Sequence, residues 1–452
     1  MDQIKNTFNE ISKIAHEHNA EVELLIQGGE NLSLKYQNKK LDQFSSSQSQ
    51  VAGFRVVKSG HQGYAYSENL ESENLKRCFK DALENCEMLL KSEGPKEEIP
   101  MAIPEKSDFQ IQYFNQKDQA SIEDKKTIAK DLEEKTFASS SMVVNVPYSS
   151  LSETASWGRI LNSKGIDQTF EKKYYVAFTG PLLEKNNKKK STFYGVVKPK
   201  LSEIQVEKIS QKAVDKVLPF LDAQQLPTGN YPTMFANEIA GDFVSMLIDS
   251  LSAKEVFQEK SFLKGKLGQK IFSEKINLID DPVNDHLYGA RPFDSEGSVS
   301  KKVSIIDHGI LKSYLTNLEY AKKMNLPHTA SAARSPRGEM GIQPASLVME
   351  KGTRSRSEIL SGYKKSILIT SVQGGLHAGF NDTTGDFSLP VEGLIYENGQ
   401  LIGAFDQTVV SGNILTMLAD VIEIGNEYFE NANDSLFPDL MVKELSFAGQ
   451  SN

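Results

Sequence analysis

Short runs of alternating apolar and polar residues, closed by glycine or asparagine, are the pattern that most restricts how this chain folds. Residues 21–67 divide into "EVELLIQ", "NLSLKYQ", "LDQFSSSQSQ", "VAGFRVVK" and "GYAYS", punctuated by Gly28-Gly29 and Gly60. The alternation of Val22, Leu24 and Ile26 predicts strands with one buried face, arranged as a meander. A helix precedes it, with Ile4, Phe8, Ile11 and Ile14 on one side, and a second helix over 72–91 closes it. The first helix has no basic start and apolar core, so no secretion signal is read there.

The same order returns over 121–217: a helix near 121–136, then the strand-like runs "SSMVVNVPYSS", "ETASWGRILNS", "DQTFEKKYYVAFTG" and "KSTFYGVVKP", then a helix. Between the two regions "SEGPKEEIPMAIPEK" has proline and charge without periodicity and reads as a linker. "DAQQLPTGNYP" marks the next boundary. Beyond it come a helical region over about 236–263, many short β runs, and a further helix at "GNILTMLADVIEIG". A chain of 452 residues exceeds what one core usually organises. The expected class is α+β: an N-terminal duplicated helix and β-meander region, followed by a β-rich C-terminal domain with inserted helices. The units are 1–95, 110–220 and 224–452.

Composition excludes several functions. Sixty acidic residues against 51 basic give a net charge of −9, which opposes a phosphate backbone. The longest basic run, Lys188 to Lys190, lies between two strand-like runs and reads as a hairpin tip rather than a nucleic-acid contact. No apolar run approaches the roughly 18 residues a membrane span needs. Cys78 and Cys86 fall on one predicted helix, about 12 Å apart along its axis and beyond disulfide reach. A reducing cytoplasm is the expected compartment.

The stretch "MFANEIAGDF" at 234–243 poses the chemical question. On a continuous helix Glu238 and Asp242 share one face, Asp249 lies about three turns on, and Ile239, Phe243, Met246 and Leu247 form the buried stripe. Asn237 as an N-cap, with acids near the positive helix end, explains the pattern without any chemistry. A catalytic zinc needs three strong ligands, usually including histidine. Glu238 has no histidine at either side, and the seven histidines are scattered; HExxH, CxxC, an EF-hand loop and G-x-S-x-G are all missing from the sequence. An oxygen-ligand site for Mg²⁺ or Ca²⁺ at Glu238, Asp242 and Asp249 is the rival, and would make the chain a metal-dependent hydrolase.

"LNSKGI" (161–166), "FDSEG" (293–297), "GILKSYLTN" (309–317), the long Gly-rich block 374–405 and "VVSGNILTMLADVIEIGNE" (409–427) resemble the TldD/PmbA family in the same order. Its members are often called modulators of DNA gyrase. The resemblance implies that the TldD branch is a zinc metallopeptidase with an HExxxH helix and a late cysteine ligand. Here Asn237 and Asp242 stand at the two histidine positions, Glu238 keeps the glutamate, and "NANDSLFPDLMVKELSFAG" holds no cysteine. The chain therefore resembles the PmbA branch, also called TldE. That implies a subunit with no zinc of its own, paired with a TldD-like subunit that carries it, acting on unfolded or precursor peptides, and homodimeric when alone. Gly374, Gly375, His377, Gly379, Asn381, Gly385 and Asp386 are the expected substrate-groove residues, where backbone can approach backbone. A homodimeric peptide-binding module without a peptidase partner is the other alternative.

Overall fold

The computed structural model describes residues 2–376, 379–431 and 434–450. Strands β1 (Glu21–Gln37), β2 (Lys40–Lys58) and β3 (His61–Ser67) form the predicted meander between helices α1 (Asp2–Glu17) and α2 (Ser72–Glu93). The turns are two-residue loops with positive φ at both positions, Asn38 and Lys39 at 54° and 59°, Ser59 and Gly60 at 48° and 77°. That handedness matches the twist of antiparallel strands. The second cycle is α3 (Ile122–Ala138), β4 (Val143–Asn162), β5 (Asp167–Lys185), β6 (Lys188–Ser191), β7 (Tyr194–Lys198) and α4 (Val206–Val217). A capping box between Ser121 and Asp124 starts α3. β1 pairs with β4, so the two cycles share one seven-stranded sheet in the order β3-β2-β1-β4-β5-β6, with β7 on β5.

Three expectations change here. The five runs of 21–67 are three strands, and Gly28-Gly29 lies inside β1 rather than at a turn. A Cβ at Gly28 would sit 2.6 Å from the Trp157 ring, so glycine is needed for cover, not for a bend. Secondly, the start of β1, Val22 to Ile26, is buried on both faces. Val22, Leu24 and Ile26 pack with Phe8, Ile11, Phe54 and Phe79 under α1 and α2. Leu25, pointing the other way, packs with Ile160, Ile166 and Phe293. Thirdly, the proline-rich connection is docked. Ile99 and Met101 are buried with Val57, and Asn162 Nδ2 donates to Ala102 O at 2.7 Å.

The C-terminal region is β-rich, as expected. Strand Gly229–Phe235 lies between Pro438–Ala448 and Lys365–Val372; the path continues through Asp386–Glu397 to Gln400–Asn413, which pairs back with Pro438–Ala448 and closes a ring of five strands. Phe235, Phe243, Phe387, Phe405, Met441 and Phe447 belong to its core. The two inserted helical regions are shorter than the sequence suggested. The first divides into α5 (Ala240–Ser245), α6 (Ile248–Leu251) and α7 (Ala253–Phe257), and the second is only Ile414–Ala419, begun by Asn413, whose Oδ1 accepts from Leu415 N and Thr416 N. Ser252 breaks the first because its backbone is extended, at φ −71° and ψ 123°, and forms a β-bridge with Leu315.

The N-terminal sheet and the C-terminal region meet backbone to backbone. A Cβ at Gly53 of β2 would lie 1.9 Å from Pro336 O. Gly53→Ala is expected to destabilise the chain by roughly 1–3 kcal/mol through overpacking, seen as a lower melting temperature. Gly403→Ala is the control: a Cβ there meets nothing within 4 Å, and no loss is expected.

Candidate functional site

Asn237 and Glu238 do not lie on a helix. The strand Gly229–Phe235 continues its pairing as far as Ala236, whose N–H donates to Ile369 O at 3.0 Å, and a turn through Asn237 and Glu238 delays α5 until Ala240. Ile239 holds the N-cap position of α5, and no side chain caps that end. Asn237 is therefore not a cap, and Glu238 and Asp242 do not share a helical face. Asp249 belongs to α6, a separate helix.

Both polar side chains of the turn have partners. Asn237 N donates to Asp439 Oδ1 at 2.8 Å, and its side-chain Nδ2 donates to Glu427 O at 3.3 Å. Its Oδ1 accepts from Arg356 Nη2 at 3.1 Å. Arg356 also grips Asp439 with two bonds, Nε to Oδ2 at 3.0 Å and Nη2 to Oδ1 at 2.7 Å. Burial works against the Arg356 charge, but Asp439, with a contribution from Glu238, raises its pKa above the ordinary arginine value. Glu238 accepts from Lys216 Nζ. Asp242 is raised, first by partial loss of water and then by the Asp434 carboxylate.

Lys216 comes from the central region. Lys208, Lys212 and Lys216 recur every four residues along α4, so they share one face. Lys208 and Lys212 reach Glu430 at 2.6 and 3.6 Å, and Lys216 reaches Glu238. Glu430 falls to about 2, held first by Lys208 and then by the Tyr194 hydroxyl. The glutamate that the sequence offers as a base is thus one end of a docking contact. Sequence reasoning missed Lys216, Arg356 and Asp439; the four-residue lysine spacing was the one local signal available.

The described groove residues follow strand Lys365–Val372 and run to Asp386, the first residue of strand Asp386–Glu397. Gly374 and Gly375 have φ of 73° and 81° with open space around them, which is turn geometry. Gly379 does lie against backbone, since a Cβ there would be 2.2 Å from Ser388 O. Asn381 Oδ1 accepts from Thr383 N and Thr384 N at 2.9 and 3.1 Å, and Gly385 N returns to Asn381 O at 2.8 Å. Asp386 accepts from Asn413 Nδ2 and Thr384 Oγ1, which lower its pKa. His377 lies outside the described residues. Phe243 of α5 contacts Phe387, next to Asp386, with ring centroids 5.8 Å apart, so the loop and the turn are neighbours.

Among the described residues, one group of three has metal-ligand geometry: Asp294, Glu296 and His328, whose donor atoms lie within 4.8 Å of one another. Its carboxylates are already engaged. Asp294 accepts from Glu296 N, Ser298 N and Ala332 N, while Glu296 accepts from Arg55 Nη1 at 3.0 Å and Leu318 N at 3.0 Å. Arg55 in turn donates to Glu23 at 3.0 Å, and Arg334 donates to the other Glu23 oxygen at 2.8 Å. Glu23, Arg55, Glu296 and Arg334 have fully buried side chains, and together they tie the N-terminal sheet to the C-terminal region.

Three matches to one family cover most of the chain. The PmbA/TldA metallopeptidase domain 1 matches residues 22–86, the central domain 115–218 and the C-terminal domain 228–449. The chain belongs to the PmbA/TldD family. Within the family it is similar to a metalloprotease of Archaeoglobus fulgidus, 28% identical over 405 residues, 88% of this chain and 89% of the relative. The metalloprotease PmbA of Escherichia coli O157:H7 is 24% identical over 293 residues, 64% of this chain and 62% of that protein. A Thermotoga maritima protein bearing the name modulator of a DNA gyrase superposes with a TM-score of 0.86 at 25% identity, covering 98% of this chain and 100% of that one. TldE from Thermococcus kodakarensis has the same fold, at a TM-score of 0.85 and 22% identity, over 98% of this chain and 100% of that structure. No helix among the described residues is long and apolar enough to cross a membrane.

Proposed function

We propose that this chain is the TldE/PmbA-like subunit of a two-component metallopeptidase, holding no zinc of its own and pairing with a TldD-like subunit that supplies it. The observation that carries this reading is the state of the donors at 237–242. Zinc sites are built from imidazole, thiolate and carboxylate, and here the amide Oδ1 of Asn237 is engaged by Arg356 and the carboxylate of Glu238 by Lys216. Two cations beside the turn repel a third. The residues present do not fit a zinc ion, and no catalytic step is routed through one in this chain.

In this reading the chain completes a cavity for unfolded or precursor peptides in the cytoplasm, with the segments 373–376 and 379–385 beside it. It forms homodimers alone and heterodimers with the partner, burying more than about 2,000 Å² in total, as obligate assemblies do. Two measurements test the proposal. Metal analysis by mass spectrometry of the purified chain should find no stoichiometric zinc. Cleavage of an unfolded substrate should be undetectable with the chain alone and become chelator-sensitive on adding a TldD-like subunit. Glu238→Ala should change that activity less than about threefold, since it removes only a partly exposed contact to Lys216, of a type worth about 0–1 kcal/mol. One tightly held zinc per chain, or chelator-sensitive cleavage by the chain alone, refutes the assignment.

A further inference from the structure

The N-terminal sheet has one long edge that the rest of the chain leaves open. Strand β3 pairs with β2 only from Ala52 to Lys58, so the outer side of β2 over residues 40–51 has no neighbouring strand among the described residues. Residues 40–50 are exposed except Ser45, which is half-buried. Among the described residues, no backbone group of 41–51 bonds outside the pairing with β1. Such an edge presents a row of N–H and C=O groups that is a template for another strand, and proteins usually blunt it with lysine, proline or a bulge. Here residues 43–54, "QFSSSQSQVAGF", carry neither charge nor proline. The pairing with β1 is irregular only near the hairpin end, at Lys35 and Tyr36. A long, unguarded edge points to a strand that covers it.

Charge and register identify that strand as the same edge of a second copy. Across a two-fold axis normal to the sheet, facing residues point to the same side, so the two strands pair antiparallel about a residue that faces itself. The turn at Asn38 and Lys39 ends the free edge on one side and β3 ends it on the other. The match that fits is residues 40–50 centred on Ser45, because centring on Ser46 sets Lys40 against Ala52, already paired with Ser67. About Ser45, Lys40 faces Gln50, Asp42 faces Gln48, Gln43 faces Ser47 and Phe44 faces Ser46. No like charges meet there, although each copy carries a net charge of −9, and Asp42 is held by Lys35 of its own chain at 3.2 Å. Pairing over that length gives about ten backbone hydrogen bonds, the number a stable interface typically carries. We propose that the β2 edge is where two copies of this chain join, antiparallel about Ser45, so that their N-terminal sheets become one. The proposal rests on the reading of the chain as a homodimer when alone, and adds the surface that makes it.

Light scattering of the intact chain over a concentration series, with no partner subunit added, tests the surface separately from the homodimer itself. The variants are Ser45→Lys/Ser46→Lys and Ser45→Glu/Ser46→Glu, which set like charges around the axis. The parent is expected at twice the 50.2 kDa of one chain. Each variant alone should dissociate at least about tenfold more readily, and an equimolar mixture of the two should return to within about threefold of the parent, because lysine then faces glutamate. Misfolding does not produce rescue on mixing. A dimeric parent with both variants equally dimeric overturns the edge and leaves the homodimer standing. Dissociation of both variants without rescue on mixing overturns it as well. A monomeric parent overturns both, and binding of a labelled, uncharged Val-Thr repeat peptide to that monomer would assign the edge to an extended peptide instead.

Discussion

Arg55→Met is expected to lower the unfolding free energy by about 3–5 kcal/mol, the range for removing one member of a buried ion pair. Arg55 joins Glu23 of β1 to Glu296 of the C-terminal region, and all three side chains are fully buried. Burial acts against the Arg55 charge, but Glu23 and Glu296 more than offset it and raise its pKa. Methionine restores the volume and not the charge, so Glu296 keeps only the Leu318 N–H on its second oxygen. The first oxygen is then buried without a donor. Urea unfolding of the variant at about pH 9, above the raised range of Glu296 where its carboxylate is charged, is the measurement, and a loss below about 1 kcal/mol would show that the network is dispensable. The double variant Arg55→Met/Glu296→Gln separates stranded charge from lost packing. It removes the uncompensated carboxylate, so a recovery of part of the loss is expected, and no recovery would assign the effect to packing.

This network also marks where the sequence stops being legible. The alternation of Val22, Leu24 and Ile26 is enough to predict β1, and those residues do face α1 and α2. The residues between them, Glu23 and Leu25, read as a solvent face but are buried, because the C-terminal region covers it. The partners of that face are far along the chain: Arg55 reaches Glu296 across 241 positions, and Glu23 reaches Arg334 across 311. No local period carries such information. Glycine shows the same boundary. Gly60 has the positive φ that its turn requires, while Gly28 is inside a strand because a tryptophan from β4 lies over it.

The candidate site follows the same logic. Asn237, Glu238 and Asp242 are visible as an acidic segment with the outline of a metallopeptidase helix, but their helical spacing is not realised. Two long-range backbone pairings decide this: Ala236 with Ile369 holds the chain extended before the turn, and Ser252 with Leu315 interrupts the helices after it. Helix propensity is a weak prior beside such contacts. Lys216, Arg356 and Asp439, which fix the charges around the turn, come from three other parts of the chain.

Raising the pH from 5 to 7 is expected to reduce stability by about 2 kcal/mol through the group around Glu296, one pKa unit per proton being about 1.4 kcal/mol. Burial pushes Asp294 up to about 6 and Glu296 up to about 7, from ordinary values of 3.8 and 4.5, with Arg291 and Arg55 pulling against it. The folded state therefore holds protons that the unfolded chain has released over this range, and stability falls as the pH rises. His328 acts in the opposite direction. Burial, with Lys301 nearby, depresses it to about 4 from 6.5, so the unfolded chain binds its proton first and stability rises from pH 4 to 6.5. Two acids outweigh one histidine, and above the ordinary histidine value of 6.5 Glu296 is the largest contributor. Carboxylates depressed in the fold, such as Glu430, contribute below their ordinary value of 4.5 and leave the window clear. Glu296→Gln keeps an acceptor oxygen for one of the two donors, Arg55 or Leu318 N, and cannot titrate. Its stability between pH 5 and 7 should be flat or rise slightly, whereas the parent falls, and parallel urea-unfolding profiles for the two proteins would show that Glu296 ionises normally in the fold.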